Sequence, residues 1–126
     1  QVERQNMQFL YKNGGFYSFM NQDNYETADV NEDIIGEDGK YLKEGLQIIA
    51  LMNDGSVVAI ELPKKVQYTI KTAPPAVKGD TAGGNVTKVA IMDNDLEVNV
   101  PIFIKEGEEI LVNTETGEYG GRVGTN

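Results

Sequence analysis

The 126-residue chain contains no cysteine and no histidine. The first absence excludes disulfides, thiolate nucleophiles and cysteine metal sites, and it fits a reducing, cytoplasmic setting. The second removes the usual general base near neutral pH and the usual zinc ligand. Together they point away from an enzyme, and no cofactor is expected. Basic residues are also scarce, with 11 Lys and Arg against 20 Asp and Glu and a formal net charge of −9. A free-standing, nonspecific nucleic-acid binder is normally basic. Loose RNA binding is therefore disfavoured, whereas a few specific contacts inside a larger assembly stay open. No stretch is apolar over the length a bilayer requires, and the chain does not begin with a basic and then apolar signal segment. No membrane partner is expected.

Hydrophobic residues make up 40% of the chain, too many for a disordered acidic tail. Fourteen glycines punctuate short apolar runs, which predicts many short strands and little helix. Met7 to Lys12, then Asn13-Gly14-Gly15, then Phe16 to Met20 reads as a hairpin, because Asn-Gly and Gly-Gly tolerate the positive φ angles of tight turns. Gly45 to Leu51, Asn53-Asp54-Gly55 and Ser56 to Leu62 repeat that logic. Between the hairpins, the polar segment from Asn21 to Glu44 predicts a loop or a short helix over Asp29 to Ile35, capped by Asp29 or Asn31. Pro63 marks a candidate boundary, since proline suits a strand end or a linker. Residues 1–63 carry 4 basic and 11 acidic side chains, and residues 64–126 carry 7 and 9. The second half is the better candidate for meeting phosphates.

After Pro63 the runs Val66 to Lys71, Thr87 to Met92, Leu96 to Val100, Glu109 to Asn113 and Tyr119 to Val123 predict about five strands, with Ile102 to Ile104 leading into a turn at Lys105-Glu106-Gly107. That is the size of an oligonucleotide-binding (OB) type barrel. The hairpins of the first half leave a second such barrel open, so the expected fold is all-β, in the form of two tandem small OB-type barrels over 1–63 and 64–126 with at most one short helix in each. No residue-level repeat links the halves.

The most informative loop is Val77 to Asn85. Gly79, Gly83 and Gly84 let backbone N–H groups approach a ligand, Asp80 and Thr81 add short polar groups, and Lys78 adds a phosphate-seeking charge. The spacing is not that of a P-loop. A nucleotide contact and a plain inter-strand loop both fit, and Pro74-Pro75 either stiffens the approach or simply ends the strand. Asp93-Asn94-Asp95 and Glu37-Asp38-Gly39 lack the continuation of a calcium loop and read as turns. Glu106, Glu108 and Glu109 sit at a turn, where exposure and ordinary pKa values are expected. Phe9, Tyr11, Phe16, Tyr17 and Phe19 alternate as core residues do, although such aromatics can also stack bases. Near the C-terminus stand Tyr119 and Arg122, the only arginine of the second half and able to fork onto phosphate or carboxylate.

Four segments in order resemble one family. MQFLYKNGGFYSFMNQDNYE (7–26) is similar to the opening of the second domain of elongation factor P. KYLKEGLQIIALMNDGSVVAIELPKKV (40–66) resembles the remainder of that domain and its junction with the third. APPAVKGDTAGGNVTKVAI (73–91) resembles the third domain's first loop, and VPIFIKEGEEILVNTETGEY (100–119) its closing strands. The resemblance implies two OB-type barrels in a factor that enters the ribosome beside peptidyl-tRNA, between the peptidyl and exit sites, and relieves stalling at consecutive prolines. It implies that Gly79, Asp80 and Thr81, with Lys78 beside them, approach messenger RNA in the exit site, and that Tyr119 and Arg122 contact the ribosome or tRNA. It implies a monomer without enzyme activity, whose effector residue sits in an N-terminal domain expected to lie ahead of this sequence. Glu115 departs from the pattern, standing where the family often has a basic residue, so a divergent paralogue is an alternative. A generic single-stranded nucleic-acid module is another.

Overall fold

Ten strands account for just over half of the described residues, and the order in which they pair is the same in both halves. The computed structural model describes residues 2–75 and 86–123. Backbone contacts divide the chain into two units, Gln1–Pro63 and Lys64–Asn126. The first holds β1 (Glu3–Asn13), β2 (Phe16–Asn21), β3 (Thr27–Asn31), α1 (Glu32–Ile35), a 3-10 turn (Gly36–Tyr41), β4 (Gln47–Asn53) and β5 (Ser56–Glu61). The second holds β6 (Lys65–Thr72), β7 (Thr87–Met92), β8 (Glu97–Pro101), β9 (Glu109–Asn113) and β10 (Tyr119–Arg122). The sheets run β3-β2-β1-β4-β5 and β10-β9-β6-β7-β8. Counted within its own unit, each sheet places its strands third, second, first, fourth, fifth, and every pairing is antiparallel. The chain is thus two tandem OB-type domains.

The hairpin turns follow from local chemistry. Asn13 pairs with Phe16 across Gly14-Gly15, and Asn53 pairs with Ser56 across Asp54-Gly55, whose φ angles are 54° and 81°. Two consecutive positive φ values match the twist of the flanking strands, which is why Asp-Gly is used there. In each unit the first strand is long enough to pair on both sides: β1 with β2 and β4, β6 with β7 and β9.

Each sheet buries one face. In the first unit Met7, Phe9, Phe19, Ile48 and Ala50 are buried together with Val30 and Ile35. In the second, Tyr68, Ile70, Met92, Val100, Ile104, Ile110 and Val112 are all below 2% exposed. The units close their open edges differently. In the first, α1 packs against both edge strands, β3 and β5, and contributes buried Ile35. In the second, β10 comes directly against β8.

Three sequence expectations need correction. Asp29 begins no helix: Thr27–Asn31 is β3, and only Glu32–Ile35 is helical. Val30 sits opposite Tyr17 and is buried, so ladder pairing and core contact outweigh one extra helical turn. Asn31 does cap α1, its side chain accepting from the Asp33 N–H at 2.8 Å. Tyr11 and Phe16 are exposed, at 56% and 47%. Leu10 forms a bulge between Phe9 and Tyr11; the extra residue flips the alternation, so Tyr11 pairs with Ser18 instead of continuing the Phe9 face. The third is Glu108, whose carboxylate is held by the Lys105 N–H and Arg122 instead of being freely solvated.

Candidate nucleic-acid interface

Lys78, Gly79, Asp80 and Thr81 lie outside the described residues. The strand that leads towards them is described as far as Pro75. β6 ends at Thr72, and two charged side chains from other elements hold the next two residues. The Ala73 N–H donates to Glu106 Oε2 at 3.1 Å. Lys88 Nζ, from β7, donates to the Pro74 carbonyl at 2.7 Å. Two residues before Ala73, still in β6, Lys71 pairs with Asp95 in the β7–β8 turn. The approach to the glycine-rich segment is therefore pinned by side chains as well as by proline geometry.

Tyr119 and Arg122 are both on β10, and a bulge decides their relation. Tyr119 is opposite Val112, Gly121 opposite Leu111 and Arg122 opposite Ile110, with Gly120 as the extra residue. Val112 and Ile110 are two apart on β9 and both fully buried. Directly opposed residues share a face, so Tyr119 and Arg122 stand on one side of β10 although they are three apart. A regular strand would set them on opposite sides. The glycines fit the bulge: Gly121 has φ of 117°, and a Cβ on Gly120 would lie 3.2 Å from the Leu111 carbonyl oxygen.

The Arg122 guanidinium is already engaged. Its Nε is 2.8 Å from Glu108 Oε1, its Nη2 is 3.5 Å from Glu108 Oε2, and its Cζ lies over the Phe103 ring, 4.7 Å from the centroid. Glu108 Oε2 also accepts the Lys105 N–H at 2.7 Å. The Lys105 backbone N–H, followed by the Arg122 guanidinium, holds the Glu108 carboxyl below its ordinary value of 4.5. This corrects the expectation of an ordinary, solvated carboxylate: the side chain is about a quarter exposed and organises its turn. That turn also sends Gly107 N–H to the Ile70 carbonyl and Ile70 N–H to the Glu108 carbonyl, tying it to β6. Glu106 and Glu108, two residues apart, thus hold the entry to the glycine segment and the end of β10. Sequence reasoning missed both, because isolated carboxylates in a turn carry no periodic or motif signal.

The depressed Glu108 pKa fixes a pH response. A lowered folded-state value stabilises the fold fully above the unfolded value, and this stabilisation is lost as pH falls through the folded value. Glu108→Gln should therefore lower the urea midpoint at pH 7, and its gap from the parent should narrow below about pH 4.5. A gap that stays constant from pH 7 to pH 3 would rule out this role for the carboxylate.

Among the described residues no buried side-chain nitrogen or oxygen lacks a hydrogen-bond partner, and no group of three or more acidic residues is placed to hold a metal ion. Recognition by these residues must use exposed groups. On the first unit the exposed aromatics are Tyr11, Phe16 and Tyr25. On the second the cation–π pair Phe103–Arg122 is about half exposed on both members.

Comparison with known families gives two matches, in order along the chain. Residues 2–60 match the family described as Elongation factor P (EF-P) OB domain. Residues 66–122 match the family described as Elongation factor P, C-terminal.

Proposed function

The chain belongs to the elongation factor P family, whose members are translation elongation factors, and from that premise we propose that it docks on the ribosome beside peptidyl-tRNA, as a positioning element in the relief of polyproline stalls. The observation that carries this is the pair of family matches, which cover both units in the family's order. The role is steric and entropic. The ribosome performs peptide bond formation, and a factor that restrains the tRNA lowers the entropic cost of aligning the reactants. On the second unit, Gly79, Asp80 and Thr81, with Lys78, approach messenger RNA in the exit site. Tyr119 and Arg122 supply a second contact on the same unit, to tRNA or ribosomal RNA.

The net charge of −9 shapes how docking works. Long-range attraction to phosphate is weak or repulsive, so affinity comes from shape, a few charge-assisted contacts and complementarity of acidic faces to basic ribosomal proteins. A generic single-stranded nucleic-acid module would instead bind short oligonucleotides with steep salt dependence.

Co-sedimentation tests the proposal. Ribosomes stalled on a polyproline message and carrying peptidyl-tRNA should retain the chain better than vacant ribosomes. Replacing Gly79, Asp80 and Thr81 together by alanine should weaken retention about tenfold or more, the scale of losing one or two charge-assisted hydrogen bonds. Retention indifferent to peptidyl-tRNA, or unchanged in the triple variant, would sink this assignment.

A further inference from the structure

We propose that Glu108 and Phe103 are positioning residues that hold the Arg122 guanidinium ready for a phosphate oxygen of RNA. The inference deepens the assignment of a β10 contact and rests on it. A guanidinium has five N–H donors in a rigid plane. Glu108 meets it side-on, through Nε and Nη2. Both Nη1 donors and the second Nη2 donor remain, and no other described residue takes them. The guanidinium carbon lies over the Phe103 ring, 4.7 Å from its centroid, a second contact that holds the group in place beside Glu108.

Several features set this apart from an ordinary surface ion pair. The carboxylate is itself oriented, because Oε2 accepts the Lys105 N–H. Its turn is anchored to β6 through Ile70 and Gly107. The arginine is on the strand face selected by the Gly120 bulge, the same face as Tyr119. The Arg122 side chain is 51% exposed and Phe103 is 55% exposed, so an incoming phosphate can reach the pair. A free arginine loses several rotatable bonds' worth of entropy when it captures a phosphate, and one already held loses little. The arrangement also carries a competing effect: the carboxylate adds a negative charge close to any incoming phosphate. Deleting that charge would by electrostatics alone favour binding, so a net loss of affinity reports positioning.

The test measures affinity for ribosomes carrying peptidyl-tRNA at several salt concentrations, with thermal unfolding of each variant as a check on folding. Arg122→Ala should weaken binding about tenfold and reduce the salt slope by about one. Glu108→Gln and Phe103→Leu should each weaken binding severalfold with the slope unchanged, since the phosphate contact is kept but no longer prearranged. Neither should have a further effect in the Arg122→Ala background. Arg122→Lys, which keeps charge without the fork, should not restore parent affinity. The proposal is overturned if Glu108→Gln tightens binding, which would make the carboxylate a competitor of the phosphate. It is equally overturned if Glu108→Gln weakens binding as much with Arg122 absent as with it present, which would be a purely structural effect. If Arg122→Ala itself leaves affinity and slope unchanged, the β10 contact fails and this inference with it. A loss in Arg122→Ala with none in Glu108→Gln or Phe103→Leu removes the positioning role alone.

Discussion

Replacing Phe19 by alanine should unfold the first unit and leave the second folded. Phe19 is fully buried, on β2 between its neighbours β1 and β3. Its ring packs on Phe9 at 5.5 Å between centroids, tilted by 59°. Removing such a ring costs about 3–5 kcal/mol, as lost transfer energy plus the cavity left behind. A unit of this size has a total stability of about 3–9 kcal/mol at the usual value per residue, so the loss is comparable to the whole. Phe9 cannot collapse into the gap freely, because its ring also packs against Tyr17, 5.9 Å between centroids. In a heteronuclear NMR spectrum, the amides of residues 2–63 should lose dispersion while those of the second unit keep theirs. Dispersion lost throughout would show that the two cores are not independent. A change of only a few tenths of a kcal/mol in urea would show that Phe19 is not the anchor described.

Ile110→Ala should have the reciprocal effect. Ile110 is fully buried on β9, opposite Tyr68 on β6 and Arg122 on β10. It is the hydrophobic link between the strand at the centre of the second sheet and the strand at its edge. Truncation costs about 2–5 kcal/mol, and the edge strand suffers most. β10 is four residues long and carries two glycines, so its own propensity contributes little. Hydrogen exchange should accelerate first at Val123, whose N–H donates to the Glu109 carbonyl on β9, then across β6 and β9, while β1 and β2 keep their protection. Unchanged exchange at β10, or equal acceleration in both units, would contradict this account. The same variant should weaken any contact made by Arg122, because the Gly120 bulge presents that residue only while β10 is seated on β9.

The hairpins were legible from sequence because their turns are set by local sterics. Asp54 and Gly55 both take positive φ, and few residue pairs other than Asn-Gly and Asp-Gly accept that. β3 was not legible. Its five residues include one buried hydrophobe, Val30, and its existence depends on β2 offering an unpaired edge. The two bulges were equally hidden. Nothing around Leu10 announces an inserted residue, yet it turns Tyr11 outward while Phe9 faces inward. At β10 the pair Gly120-Gly121 hints at irregular backbone, but only the register on β9 shows that Tyr119 and Arg122 share a face.

The glycine-rich segment and the C-terminal pair were singled out from residue type and from likeness to a family. What holds them was not. Glu106 reaches Ala73 across 33 positions and Glu108 reaches Arg122 across 14, and no window of sequence contains either relation. Sequence alone determined the all-β class, the hairpin turns and the absence of thiol and imidazole chemistry, because these depend on composition, local backbone sterics and period-two patterning, whereas the two-barrel organisation came from likeness to a family and from the two compact units of the fold. Tertiary structure alone decided which aromatics face solvent, where α1 begins, and that a turn of carboxylates clamps the arginine. Those outcomes depend on strand register and on groups far apart in the chain, where one inserted residue reverses a face and one backbone N–H gives a carboxylate its place.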